Sequence, residues 1–159
     1  FSAPRREMIA LGGFDERFVK VAYRNESQLS TRLFRARRRI LFEPRAEIRH
    51  LQAPAGGVRA WVGGVRTARP AHAVGEYYFL LRSRPNGWVG RFVARPWRHV
   101  RTRDNLRRPW RIPMTLGAEI AGMFWALSLY TRGPRLLRLE AVDAAPFGPA
   151  APPFEGRGA

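Results

Sequence analysis

Residues 12–18 read Gly-Gly-Phe-Asp-Glu-Arg-Phe and separate two segments whose residue patterns predict helices. The first covers residues 4–11, with a proline in its first turn. Two glycines end it, because glycine readily adopts the left-handed backbone conformation. The second covers residues 26–37, in which Leu29 and Leu33 recur at helical spacing on one face. The sequence therefore predicts a helix, a tight turn and a longer amphipathic helix.

Around the second helix, the sequence contains a start pattern and two short extended segments. Asn25 stands three residues before Gln28, as in a capping box, and this pair predicts where the helix begins. Beyond the helix, residues 40–42 are apolar and residues 46–50 alternate in character, with Pro44 between the two predicted strands at 40–43 and 46–50. Such segments are typical of short strands.

The second half of the chain is mainly helical by pattern. Residues 71–84 suit a helix, and residues 88–99 suit a second helix that Pro96 is expected to break. Residues 114–130 are the most apolar stretch but contain Glu119. Three interpretations stay open for this stretch: a buried or docking helix, an interfacial helix, or a membrane span. No internal repeat stands out.

The charge balance is unusual for a chain of 159 residues. It has 29 basic and 12 acidic residues, a net charge of +17, and Lys20 is its one lysine. Such a surface attracts polyanions, among them nucleic acid, anionic membranes and diphosphates. The absence of cysteine excludes disulfides and thiol catalysis. Dinucleotide-binding, P-loop, zinc-protease and serine-hydrolase motifs are also absent from the sequence.

A series of short motifs between residues 1 and 59 resembles the C-terminal half of the catalytic domain of family-2 glycosyltransferases. These are inverting enzymes with a GT-A type fold. The family pattern is a helix with S-x-x-R-R-E, then G-G-F-D-E-x-F, an acidic E-D-x-D-L-x-x-R-L element, and R-x-x-G-Y-R-I-x-F-x-P-x-A-x-V-x-H. The corresponding residues here are Ser2, Arg5, Arg6, Glu7, Gly12–Phe18, Asn25–Leu29, Arg32, Leu33, Arg39–Phe42, Pro44, Ala46, Ile48 and His50.

The resemblance implies an α/β fold, namely a partial GT-A type (nucleotide-diphospho-sugar transferase) domain with short strands and a mainly helical C-terminal extension. Residues 1–64 would be the C-terminal half of the catalytic domain, residues 65–132 the basic helical extension, and residues 133–159 a disordered Pro/Gly/Ala-rich tail. The strands would join a sheet of a preceding nucleotide-binding half. In isolation, residues 1–60 are therefore expected to show exposed apolar surface from Leu29, Leu33, Ile40 and Phe42.

The implied reaction is transfer of a hexosyl unit from a nucleotide sugar to a glycan, polysaccharide or lipid-linked acceptor. Glu26 occupies the position of the family's catalytic base, and backbone amides of the first helical turn favour its ionised form. The alternative is that Glu26 only stabilises the helix dipole. The chain departs from the family pattern where Asn25 and Gln28 replace acidic residues, which marks either a subgroup or a degenerate site.

The resemblance places two further residues on the diphosphate side of the reaction. His50 would bind the diphosphate or a divalent metal, Mg²⁺ or Mn²⁺, and Arg59 would bind the diphosphate; a structural histidine and a solvated arginine are the alternatives. The main metal ligands are expected in the missing N-terminal half, so we expect these 159 residues to be inactive alone. At the end of the second helix, Arg37 and Arg38 replace the family's Gly-Tyr, which predicts a strained left-handed cap.

A rival interpretation is a basic binding module for anionic membrane or nucleic acid. It rests on ten arginines between Arg82 and Arg111, among which Asp104 is the one acidic residue. Under the leading interpretation no specific nucleic acid is expected, and the protein would be cytoplasmic or peripheral at the inner membrane face. Asp15 and Glu16 are expected to be structural.

Overall fold

A computed structural model describes residues 2–19, 21–47 and 70–137, and these residues form helices without any strand. The helices are α1 (Arg5–Ala10), α2 (Asn25–Arg35), α3 (Ala71–Ser83), α4 (Trp88–Val100), α5 (Arg103–Arg107) and α6 (Arg111–Thr131). Helix accounts for 61% of the described chain, so the architecture there is all-α.

Helix α3 is the centre of the described fold. Nine of its thirteen residues are buried, because α2, α4 and α6 all pack against it. A helix that is apolar on most sides is stable in water only when neighbours cover it. The largest fully buried side chains include Tyr77, Tyr78 and Leu80 of α3 and Leu29 of α2.

The closest helix contact joins α3 to α6 through small residues. A Cβ atom added to Gly122 of α6 would lie 2.5 Å from the Cβ of Ala73 of α3. No larger side chain fits at this crossing without moving the backbone. The two helices therefore lie close along their length, and Ala126 and Leu129 of α6 complete the core.

A buried carboxylate connects the turn before α2 to the core, as expected for a structural Asp15. Its Oδ2 accepts a hydrogen bond from the Tyr78 hydroxyl at 2.8 Å. Its Oδ1 accepts from the backbone N–H groups of Arg17 and Arg135, both at 3.0 Å. Next to it, Glu16 forms an exposed ion pair with Arg135. Asp15 thus joins the turn, α3 and the segment after α6.

The two adjacent core tyrosines are expected to respond differently to loss of the hydroxyl. Tyr78→Phe leaves a buried carboxylate oxygen without its donor and should lower the free energy of unfolding by about 1–3 kcal/mol. The buried Tyr77 hydroxyl forms no hydrogen bond of normal geometry among the described residues, although the Glu119 carboxylate is near enough to raise its pKa. Tyr77→Phe should therefore change stability by less than about 1 kcal/mol or raise it. Urea unfolding of both variants measures this, and equal losses would contradict the assigned hydrogen bonds.

The turn between α1 and α2 has the conformation that its glycines predict. Gly12 and Gly13 have φ angles of +79° and +65°, which confirms that they end the first helix. Arg32 of α2 fixes the turn by donating hydrogen bonds to the carbonyls of Leu11 and Gly13. The Leu137 N–H donates to the Gly12 carbonyl at 2.9 Å, so the segment after α6 packs on the same turn.

The predicted α/β fold is wrong for the described residues. Residues 40–43 form no strand, and the described part of the predicted second strand, residues 46–47, forms none either. A strand needs a partner for its backbone N–H and C=O groups, and no described segment pairs with these residues. Ile40 and Phe42 are exposed, as expected for an unpaired segment. A GT-A type sheet is therefore not observed.

Leu29 and Leu33 are buried, because α3, which lies outside residues 1–60, covers the apolar face of α2. Their exposure in isolated residues 1–60 stays a prediction. One local expectation about α2 is wrong. The capping box does not form: Arg24 is the N-cap in the left-handed conformation, and Gln28 is buried and accepts from Arg32. At the other end of α2, the strained cap is confirmed, since Arg37 has a φ angle of +59°.

Helix α4 continues through Pro96, so the expected break is wrong. A proline inside a helix removes one hydrogen bond and favours a kink. Here Arg95 and His99, on either side of the proline, both bind Glu119 of α6, and Phe92 packs on Tyr77 at a ring distance of 4.8 Å. These tertiary contacts hold the helix together. The predicted tail lies outside the described residues from residue 138 onward.

Candidate functional site: a basic cleft beside the start of helix α2

A polar cleft lies between the start of α2 and helices α3, α4 and α6. It consists of two adjoining depressions of about 630 Å³ and 250 Å³, which share Tyr23, Arg95 and His99. The larger depression is lined further by His72, Ala73, Thr102, Asp104, Asn105, Thr115, Ala118 and Glu119. The smaller one is lined further by Arg24, Glu76, Arg91 and Arg98.

A buried ion pair between α4 and α6 forms the floor of the cleft. Arg95 donates from Nε to Glu119 Oε2 at 2.9 Å and from Nη2 to Oε1 at 3.3 Å. The side chains are 11% and 5% exposed. This two-point geometry is the strongest that an arginine and a carboxylate can form. It fixes the rotation of α4 against α6.

His99 is the third member of this network. Its Nδ1 lies 3.1 Å from Glu119 Oε1. Burial and the neighbouring Arg95 lower the pKa of His99, although Glu119 opposes the shift. The neutral ring therefore donates from Nδ1 to the carboxylate, which leaves Nε2 as an acceptor. Burial and the same carboxylate raise the pKa of Tyr77, which stays protonated.

A second ion pair holds the N-cap of α2 at the edge of the cleft. Arg24 Nε lies 2.7 Å from Glu76 Oε2 of α3, and this hydrogen bond raises the pKa of Arg24. Gly75 lies directly under the Tyr23 carbonyl, where an added Cβ would clash with the oxygen. The close approach and the ion pair together place the start of α2 beside the cleft.

Two arginines of the cleft are not neutralised by the described residues. Arg24 and Arg95 are paired with Glu76 and Glu119. Arg91 and Arg98 are exposed and form no ion pair within residues 2–19, 21–47 and 70–137. The smaller depression therefore carries surplus positive charge, which favours an anionic ligand.

Glu26 lies in the first turn of α2, two residues after the cleft-lining Arg24. Its side chain is exposed and forms no ion pair in the described part of the chain. Asn25 Oδ1 accepts from the Glu26 N–H at 2.7 Å, so the neutral residue there has a local structural role. The Glu26 carboxylate is accessible to solvent, but it does not line either depression of the cleft.

The other two sequence-predicted site residues, His50 and Arg59, lie outside the described residues. Within the described ranges, no group of three or more His, Asp and Glu side chains is placed to hold a metal ion.

No protein-family model matches the chain, and neither does any curated protein or solved structure. Glycosyl transfer thus remains a prediction from the sequence. In the described residues, α6 alone is long and apolar enough to cross a membrane, with 21 residues, a mean hydropathy of 1.3 and 28% of its most apolar window buried.

Sequence interpretation missed most of the cleft. Arg91, Arg95 and Arg98 recur at spacings of four and three, which places them on one side of an unbroken helix. The expected break at Pro96 hid this pattern. The sequence interpretation also missed a short repeat. Arg-Pro-Trp-Arg occurs at residues 95–98 and again at residues 108–111.

Proposed function

We propose that these residues form the acceptor side of an inverting glycosyltransferase whose donor nucleotide is bound by residues outside them. The observation that carries the proposal is the exposed carboxylate of Glu26 in the first turn of α2, a helix whose N-cap residue Arg24 lines a cleft with surplus positive charge. The described residues lack the sheet implied by the resemblance, so the proposal concerns the reaction and not that fold.

In the proposed step, the Glu26 carboxylate accepts the proton of an acceptor hydroxyl. The hydroxyl oxygen attacks the anomeric carbon of the sugar, and the bond from that carbon to the nucleoside diphosphate breaks. The diphosphate leaves with the electron pair of that bond. The N–H groups at the start of α2 favour the ionised form of Glu26, which the step requires.

The cleft arginines are placed in a cleft of surplus positive charge, which would stabilise the negative charge that the step creates on the diphosphate. Negative charge builds up on the departing diphosphate, and fixed cations beside it lower the barrier. Arg91 and Arg98 are the cleft cations that no described carboxylate neutralises. Arginine is well matched to phosphate, because its guanidinium group can donate two parallel hydrogen bonds. His50 and Arg59 are still predicted to bind the same diphosphate.

The test is Glu26→Gln in the full-length polypeptide, assayed with UDP-hexoses and GDP-hexoses by release of nucleoside diphosphate. Glutamine keeps the size of the side chain but cannot accept the proton. We expect kcat to fall by about a hundredfold or more while the donor KM changes little. The matched control is Glu47→Gln, an exposed carboxylate without an ion pair in the described residues, which should leave kcat unchanged.

Two results would overturn the proposal. Unchanged turnover in Glu26→Gln would remove this residue from the mechanism. Absence of transfer or hydrolysis with all tested nucleotide sugars, in a polypeptide whose helical content is intact by circular dichroism, would remove the reaction itself.

A further inference from the structure

Helix α4 has two chemically different exposed sides. Val89, Val93 and Trp97 recur every four residues and are exposed on one side. Arg91 and Arg98 lie on the opposite side, at a helical rotation of about 100° per residue. The partly buried residues between them, including Phe92 and Arg95, face α3 and α6. A helix with one apolar and one arginine-rich exposed side is typical of a membrane-surface helix.

The Arg-Pro-Trp-Arg repeat places an exposed indole between arginines at two positions. Trp97 of α4 is 67% exposed, and Trp110, directly before α6, is 66% exposed. Tryptophan carries a large apolar ring with one N–H donor, and it concentrates at the boundary between lipid tails and headgroups.

Helix α6 adds a second apolar stripe. Leu116, Ile120 and Phe124 recur every four residues and are exposed, on the side of α6 opposite the face that packs on α3. The Arg95–Glu119 ion pair joins α6 directly to α4. The two helices that carry the exposed apolar stripes are therefore packed neighbours.

We propose that these side chains form an interfacial surface that binds the headgroup region of an anionic lipid bilayer. The interfacial surface is defined by Val89, Val93, Trp97, Trp110, Ile120 and Phe124. Charge complementarity selects the lipid, since six arginines near these residues are exposed: Arg91, Arg98, Arg101, Arg103, Arg107 and Arg108. The apolar stripes favour a bilayer over nucleic acid, which would leave aliphatic side chains in water.

The structure favours helices that lie on the membrane and not across it. Glu119 is in the middle of α6 and is buried against Arg95, so one face of α6 is committed to a polar contact inside the protein. Thr115 on the same face accepts a hydrogen bond from Asn105. Only the opposite face of α6 is free to enter lipid, to the depth that an interfacial helix reaches.

Co-sedimentation of the full chain with vesicles tests the proposal. We expect binding to vesicles of equal parts phosphatidylglycerol and phosphatidylcholine, a blue shift of tryptophan fluorescence, and little binding to pure phosphatidylcholine. Trp97→Ala with Trp110→Ala should weaken binding about tenfold or more. Phe34→Ala is the matched control, because Phe34 is 71% exposed on α2, away from the interfacial surface, and should have no effect.

A separate pair of variants tests how much the arginine charges contribute to vesicle binding. Arg107→Gln with Arg108→Gln changes two exposed arginines close to Trp110 in the chain and should weaken binding to the anionic vesicles by about twenty- to thirtyfold at low salt. Arg37→Gln with Arg39→Gln removes the same charge from an exposed segment elsewhere and should cause a clearly smaller loss. Binding should also decrease as salt is raised.

Four results would overturn the proposal. Equal binding to neutral vesicles would remove the role of charge, and capture of a duplex oligonucleotide without vesicle binding would favour nucleic acid. Concentration-dependent self-association that protects Trp97 and Trp110 from acrylamide would show that a second copy covers the surface. Retention in membranes after alkaline carbonate extraction would show that α6 spans the bilayer. None of these results bears on the Glu26 assay, so the two proposals fail separately.

Discussion

Arg95→Met is expected to lower the free energy of unfolding by about 3–5 kcal/mol, because it leaves the buried Glu119 carboxylate without its two-point partner. His99 remains beside Glu119 but supplies one contact in place of two. Urea or thermal unfolding followed by circular dichroism measures the loss. The matched control is Arg45→Met, which breaks the exposed Arg45–Glu43 pair and should cost less than about 1 kcal/mol.

A double variant distinguishes the ion pair from simple loss of packing. Combining Arg95→Met with Glu119→Leu removes both buried charges and should restore most of the stability lost in Arg95→Met. If the double variant is less stable than the single one by the full cost of Glu119→Leu, the two residues are not coupled. In that case the ion pair does not hold α4 against α6.

The single variant Arg95→Met should also change the pKa of His99. In the native protein, burial and Arg95 lower the pKa of His99, so folding favours the neutral ring, and stability should decrease as the pH falls below the unfolded value of about 6.5. Arg95→Met removes the repulsion and leaves Glu119 unopposed, so the pKa of His99 should rise. NMR titration of the ring measures the direction, and an unchanged pKa would contradict the network.

Asp15→Ala is expected to cost about 3–4 kcal/mol of folding free energy, the second large effect. Three donors lose their acceptor together: the Tyr78 hydroxyl and the N–H groups of Arg17 and Arg135. Buried donors without partners carry the full desolvation cost. The control is Glu16→Ala, which removes an adjacent exposed carboxylate and should cost less than about 1 kcal/mol.

Tyr78→Phe tests how much of the stability lost in Asp15→Ala comes from the hydrogen bond between Tyr78 and Asp15. In the native chain, the phenylalanine removes a hydrogen bond to Asp15. In an Asp15→Ala background that bond is already absent, so the added cost should be close to zero or favourable. Additive losses would show that Asp15 acts mainly through the two backbone N–H groups.

Both large effects bear on the candidate site through the position of its helices. Arg95 forms the floor of the cleft and also joins α4 to α6. Asp15 anchors the turn that leads into α2, whose first turn carries Glu26. We therefore expect Asp15→Ala to weaken vesicle binding or turnover only as far as it unfolds the protein, whereas Arg95→Met also changes the cleft itself.

The sequence by itself determined the local elements. Apolar spacing located α2, α3 and α6 to within about three residues, and Gly12 and Gly13 marked the end of α1. It also placed Glu26 in the first turn of α2 and identified Asp15 as structural. These features depend on contacts between residues close in the chain, which residue order specifies directly.

Tertiary structure alone decided strand pairing, the burial of α2 and the formation of the cleft. Residues 40–47 have strand-like composition, but no described segment pairs with them, so they form no sheet. Leu29 and Leu33 are covered only because α3, forty residues later, packs on α2. The cleft likewise depends on Arg95 and Glu119, which are 24 positions apart. Pairing and burial need a partner from elsewhere in the chain, and short-range sequence patterns contain no information about which partner arrives.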